Sequence, residues 1–171
     1  CKETVFRMLR KIYGRVSKNH KITIVPTLEA FQKHPFYPAL EDILHELKRH
    51  RGHKDIIKSS RLPACDYFVH EPRFIVEFDE SQHFTIPRAI TLENYPPEME
   101  VGFSVVRWIE LCRELRKRDN DPPHRDETRA WYDTLRDFVP VLMDYKPTVR
   151  LYASELRWCD LDPDNSTDVN R

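Results

Sequence analysis

An α/β fold with a mixed β-sheet flanked by helices is what the sequence predicts, and three observations predict it. Apolar residues recur at helical spacing near the N-terminus and again before residue 50. Two apolar runs, "ACDYFVH" (64–70) and "RFIVEFDE" (73–80), stand close enough to pair as a hairpin. Strand and helix patterns then alternate to residue 154, the mark of a layered α/β domain.

Taken in order, Val5, Met8, Leu9 and Ile12 form the apolar stripe of a first helix, with Lys2, Arg7, Arg10 and Lys11 opposite. "KITIVP" (21–26) is a short β-branched run stopped by Pro26. Leu40, Ile43, Leu44 and Leu47 predict a second helix, begun at Pro38 and ended before Gly52. The hairpin follows. After a polar loop, "VGFSVVRW" (101–108) predicts a third strand and "IELCRELRKRD" (109–119) a helix that turns basic at its end, as the helix dipole favours. A long helix capped by Asp126 runs through Trp131, Leu135 and Phe138 until Pro140 ends or kinks it. "TVRLYAS" (148–154) predicts the last strand. The expected organisation is one domain over residues 1–160, with a frayed polar tail at 161–171.

With 171 residues and 40% hydrophobic content the chain can bury a core. No apolar stretch reaches the roughly 20 residues of a membrane helix, so no membrane partner is expected. Cys1, Cys65, Cys112 and Cys159 are widely spaced, which predicts free thiols in a reducing, cytoplasmic setting rather than a zinc knuckle or disulfide framework. The zero net charge is unevenly spread. Residues 1–60 hold 13 Lys/Arg against 6 Asp/Glu, and residues 61–100 hold 3 against 8. A basic third beside an acidic middle fits a polyanion held near carboxylates, and it equally fits ordinary solvated helix faces.

Glu77 and Asp79 pose the chemical question, because unpaired carboxylates inside an apolar strand are costly. A turn at Glu71–Pro72, or a four-residue loop over 70–73, pairs residues whose numbers sum to 143. Asp66 then faces Glu77, and the two-residue period adds Asp79. The hairpin has no cation except Arg73 at its far end, so a hard divalent ion such as Mg²⁺ or Mn²⁺ is expected among these carboxylates. Other chemistries lack their motifs. No GxxxxGK[ST] loop, GxSxG elbow or HExxH helix is present, and a zinc pair from Asp79 and His83 is awkwardly spaced just after a strand.

Glu41 on a helix, "CDYF" with Asp66, "IVEFD" with Glu77 and Asp79, and then His83 resemble the PD-(D/E)XK nuclease superfamily, most closely its very-short-patch-repair-like branch. Arg88 and "GFSVVRW" with Arg107 extend the likeness, which covers about residues 36–108. The resemblance implies a restriction-endonuclease-like fold and a metal-dependent endonuclease acting on nucleic acid, DNA first. It implies Asp66, Glu77, Asp79 and Glu41 around the metal, Asp79, His83 and Gln82 assisting the attacking water or the phosphate, and Arg88 and Arg107 as phosphate clamps. Two departures stand out: Asp79 replaces the usual lysine, and Glu80 replaces a glycine. A non-catalytic nucleic-acid- or protein-binding module is the rival reading. An interaction domain of a larger assembly, using the aromatic helix around Trp131 and Tyr132, is a second.

Overall fold

The computed structural model describes residues 1–170, and the sequence folds as a four-stranded mixed sheet with helices on both faces. Helix α1 (Lys2–Tyr13) buries Val5 and Met8 and ends at Gly14, whose φ of 76° suits a residue without a side chain. The first strand, β1 (Val16–His20), precedes the run expected to be extended. Residues 21–26 are instead an irregular strap, with Ile22 buried and the Pro26 carbonyl accepting from Trp131 Nε1 at 2.9 Å. Helix α2 (Tyr37–Arg51) follows the expected stripe of Leu40, Ile43, Leu44 and Leu47, and Gly52 closes it in the left-handed region.

Strands β2 (Cys65–Val69) and β3 (Phe74–Asp79) are antiparallel, with Tyr67 opposite Val76, Phe68 opposite Ile75 and Val69 opposite Phe74. That is the sum-143 register, with the four-residue loop 70–73. Helix α3 (Ile86–Glu93) lies where a polar loop was expected; Thr85 caps it by accepting from Arg88 N, and Pro87 fits the first turn.

The expected strand 101–108 is corrected to the start of helix α4 (Val105–Leu115). Ser104 caps that helix by accepting from Arg107 N, and Trp108, Leu111 and Cys112 supply a helical stripe that overrides the β-branched residues. Only Gly102 keeps a bridge to the sheet, and a Cβ there would meet the Thr148 carbonyl at 2.8 Å. Helix α5 (Arg125–Met143) contains Pro140, and β4 (Val149–Tyr152) pairs in parallel with β3, giving the order β1-β2-β3-β4.

The sheet separates two clusters. Phe68 and Ile75 pack with α2 and α5, whereas Tyr67, Val69, Phe74, Val76 and Phe78 pack beneath α1. The tail is folded as well: helix α6 (Ser166–Val169) is capped by Asn165, and Lys11 of α1 pairs with Asp164 at 3.1 Å. The tail's last residue, Arg171, lies outside the described residues. The expectation of four free thiols is also corrected. Cys1 and Cys159 form a disulfide that ties the start of α1 to the short turn 158–160, while Cys65 and Cys112 are free and buried. Spacing along the chain cannot reveal a pair separated by 158 residues. No helix among the described residues is long and apolar enough to cross a membrane.

Candidate functional site: a buried charge network and a basic hollow

Glu77 and Asp79 point from β3 toward residues supplied by the last third of the chain. The parallel ladder sets Arg150 of β4 beside Glu77. The Arg150 guanidinium donates from Nη1 to both Asp79 oxygens (2.8 and 3.1 Å), from Nε to Asp137 Oδ1 (2.9 Å) and from Nη2 to the Asp133 carbonyl (2.9 Å). Trp108 Nε1 donates to Asp79 Oδ2 at 2.8 Å. From α5, Arg136 Nη1 donates to Asp133 Oδ1 at 3.1 Å. Its Nε lies 3.3 Å from Glu77 Oε1, and neither of those atoms has a hydrogen-bond partner among the described residues. His83 Nδ1 is 2.9 Å from Asp133 Oδ2 and 3.7 Å from Asp79 Oδ1.

Arginine neutralises these carboxylates. Sequence reasoning missed it because the cations arrive on α5 and β4, 59 to 71 residues after the acids they meet. The only local signal was the density of Asp and Arg in "RDETRAWYDTLRDF", too amphipathic to distinguish from a solvated helix.

Protonation follows from burial and pairing. Burial pushes the Glu77 carboxyl up to about 7, against the pull of Arg136 and Arg150. Burial disfavours a charged His83, but the charge and hydrogen bond of Asp133, with Asp79 behind them, hold its pKa above the ordinary value. Asp133 is driven well below the usual carboxylate range: burial opposes its charge, yet His83, Arg150 and Arg136 outweigh it.

The other expected site residues lie elsewhere. Asp66 does not share this network: its Oδ1 accepts from Lys2 Nζ and its Oδ2 from Phe78 N, both at 2.9 Å. The ladder stops at Tyr67 and Val76, and Cys65 joins the Phe68 cluster although strict alternation would send it to the other face. Opposite this break Asn19 has a positive φ of 49°. Glu41 is exposed on α2. Gln82 is exposed, and its side chain donates to Glu80 at 2.7 Å.

Arg88, expected as a phosphate clamp, is 1% exposed and donates to Asp137 Oδ2 at 2.7 Å, with Tyr95, Thr91 and Thr134 around it. Sealed inside the protein, it cannot reach a phosphate. Arg107 is exposed on α4 and sits 3.8 Å from Glu110, its neighbour one helical turn on.

These donors, as placed, do not fit a hard divalent cation. Such an ion needs several free oxygens facing one point. Both Asp79 oxygens are taken by Arg150 and Trp108, and both Asp66 oxygens by Lys2 and Phe78 N. Glu77 is held by charge alone: its Oε1 lies 3.3 Å from Arg136 Nε and has no hydrogen-bond partner among the described residues. Among the described residues no group of three or more His, Cys, Asp or Glu side chains could hold a metal.

A second feature is assembled from distant segments. The C-terminal end of α2 and the turn after α4 border a hollow of about 290 Å³ lined by His50, Arg51, Ile86, Pro87, Arg116, Lys117, Arg118 and Asp126. Arg51 is committed to Glu127, which accepts from both its Nε and Nη2 at 2.5 Å. Arg116, Lys117 and Arg118 are exposed, and none of the ion pairs among the described residues involves them. Arg116 Nε donates to the Arg113 carbonyl. The two basic stretches, some 65 residues apart in sequence, thus share one rim.

No family model, curated protein or solved structure matches this chain.

Proposed function

We propose that the protein is a nucleic-acid-binding module of restriction-endonuclease-like build, the non-catalytic member of the two readings that the resemblance allows. One observation carries this reading: the hollow rimmed by Arg116, Lys117 and Arg118 opposite His50 and Arg51. Exposed cations without acidic partners are what a phosphate backbone engages, and each phosphate neutralised releases condensed counterions. The carboxylates expected to work on that backbone are meanwhile engaged by arginine, lysine, tryptophan and backbone donors.

The test uses the whole chain with labelled DNA and RNA, following anisotropy against salt and, in parallel, strand integrity with Mg²⁺, Mn²⁺ or EDTA. The expected result is binding that weakens steeply with salt, with a log–log slope of about −3 if the three free cations each meet a phosphate of a duplex. The substrate stays intact throughout. Salt-insensitive binding, or none, removes the nucleic-acid reading. Metal-dependent cleavage that disappears in Glu77→Gln restores the endonuclease in its place.

A further inference from the structure

Apart from the basic hollow, the molecule carries one reactive pair that the proposed function leaves unused. Cys1 caps the start of α1 and Cys159 sits in the short turn Trp158–Asp160; both residues are exposed, and they are bonded to each other. The other two cysteines are 0% exposed, and burial pushes each of their thiols up to about 12. Reagents in solution therefore meet only the Cys1–Cys159 sulfurs.

The bond fastens a particular region. Next to Cys1, Lys2 donates to Asp66 and its carbonyl accepts from the Tyr67 hydroxyl at 2.7 Å. On the other side of the bond, Trp158 packs edge-on to Phe78 and donates from Nε1 to the Tyr152 carbonyl at 2.8 Å. Between them an apolar hollow of about 220 Å³ is lined by Val5, Met8, Ile12, Leu151, Leu156 and Val169, among others. The disulfide lies next to that hollow, tying the start of α1 to the turn that carries Trp158, one of its lining residues.

We infer that Cys1–Cys159 is a thiol-exchange site, taking dithiol reductants as its partner, and that its opening loosens α1 and the C-terminal segment over the apolar hollow. The chemistry balances with the dithiol alone. One of its thiolates attacks a protein sulfur, the displaced cysteine leaves as a thiolate and gains a proton, and the second dithiol sulfur closes on the mixed disulfide. Two protein thiols form, and the dithiol becomes a disulfide. An exposed bond is the kind that such exchange reaches.

The experiment is native-state alkylation with iodoacetamide followed by intact mass, with and without dithiothreitol, paired with amide hydrogen exchange. Without reductant no cysteine is labelled. With dithiothreitol Cys1 and Cys159 are labelled while Cys65 and Cys112 stay protected, and exchange accelerates in residues 1–13 and 156–170 more than in β2 and β3. The Cys1→Ser/Cys159→Ser variant reproduces the reduced pattern and no longer responds to dithiothreitol. Labelling of Cys1 or Cys159 before reduction, resistance of the bond in the folded protein, or reduction with unchanged exchange would each overturn the inference. None of these outcomes bears on whether the basic hollow binds nucleic acid.

Discussion

Arginine does opposite work in two regions of this molecule. In the interior, Arg88, Arg136 and Arg150 are each within 9% of full burial and each meets a carboxylate. On the rim of the basic hollow, Arg116 and Arg118 are exposed and meet none among the described residues. The same planar donor group holds a fold together where it is dry and presents charge where it is wet. Composition alone gives these arginines equal weight, and burial divides them.

The comparison breaks most visibly if an interior cation is removed. Arg150→Met leaves Asp79 and Asp137 without their shared partner, although Trp108 and Arg88 keep one contact to each. Stranding buried charge in this way costs about 3–5 kcal/mol, a large share of the roughly 5–15 kcal/mol that holds a domain folded. Urea unfolding should show the loss, and a change below about 1 kcal/mol would mean that the network is not the protein's electrostatic keystone.

A smaller effect should appear with pH. Three interior arginines face four carboxylates, Glu77, Asp79, Asp133 and Asp137, so a proton on His83 or Glu77 evens the balance. Glu77 has a folded pKa of about 7, above its ordinary value of 4.5, and His83 is likewise raised above 6.5. For both groups the folded state holds the proton more tightly, so their contribution is complete at low pH and is lost as pH rises through the folded values. The depressed Asp133 works in the opposite sense, but its contribution is already complete across this window. Unfolding free energy should therefore fall between about pH 5 and pH 8, and Glu77→Gln should flatten part of that slope.

The smallest change in stability belongs to the wet region. Arg118→Gln should alter stability by no more than about 0.5 kcal/mol, as exposed sites usually do. It should nevertheless weaken nucleic-acid binding and reduce the salt slope by about one unit. Arg107→Gln, away from the hollow and facing Glu110, should change neither quantity measurably.

What could be read from the sequence divides along the same line between local and distant causes. The register of β2 and β3 was legible because apolar alternation and a short loop fix it from within sixteen residues. Helices α1, α2 and α5 were legible from their stripes, and β4 from its β-branched run. Two errors came from overlooking caps, one beside β-branched residues and one in a polar stretch. Ser104 starts a helix inside "GFSVVRW", and Thr85 starts another in what resembled a polar loop. The carboxylates were singled out correctly as groups needing cations, but the partners come from residues 136 and 150, and no local pattern announces a contact across the whole domain. Arg88 was misjudged for the same reason: its acid, Asp137, lies 49 residues away.

The parallel pairing of β4 with β3 also sets a timetable for the growing chain. Asp79 leaves the ribosome 71 residues ahead of Arg150, so the residues of the hairpin are made before their counter-charge is. A strand carrying two unmatched carboxylates is costly to bury between apolar layers. During synthesis β3 stays hydrated and incompletely packed until the segment carrying Arg150 has followed it. A nascent chain stopped short of Arg150 would thus keep its central strand hydrated and open to solvent.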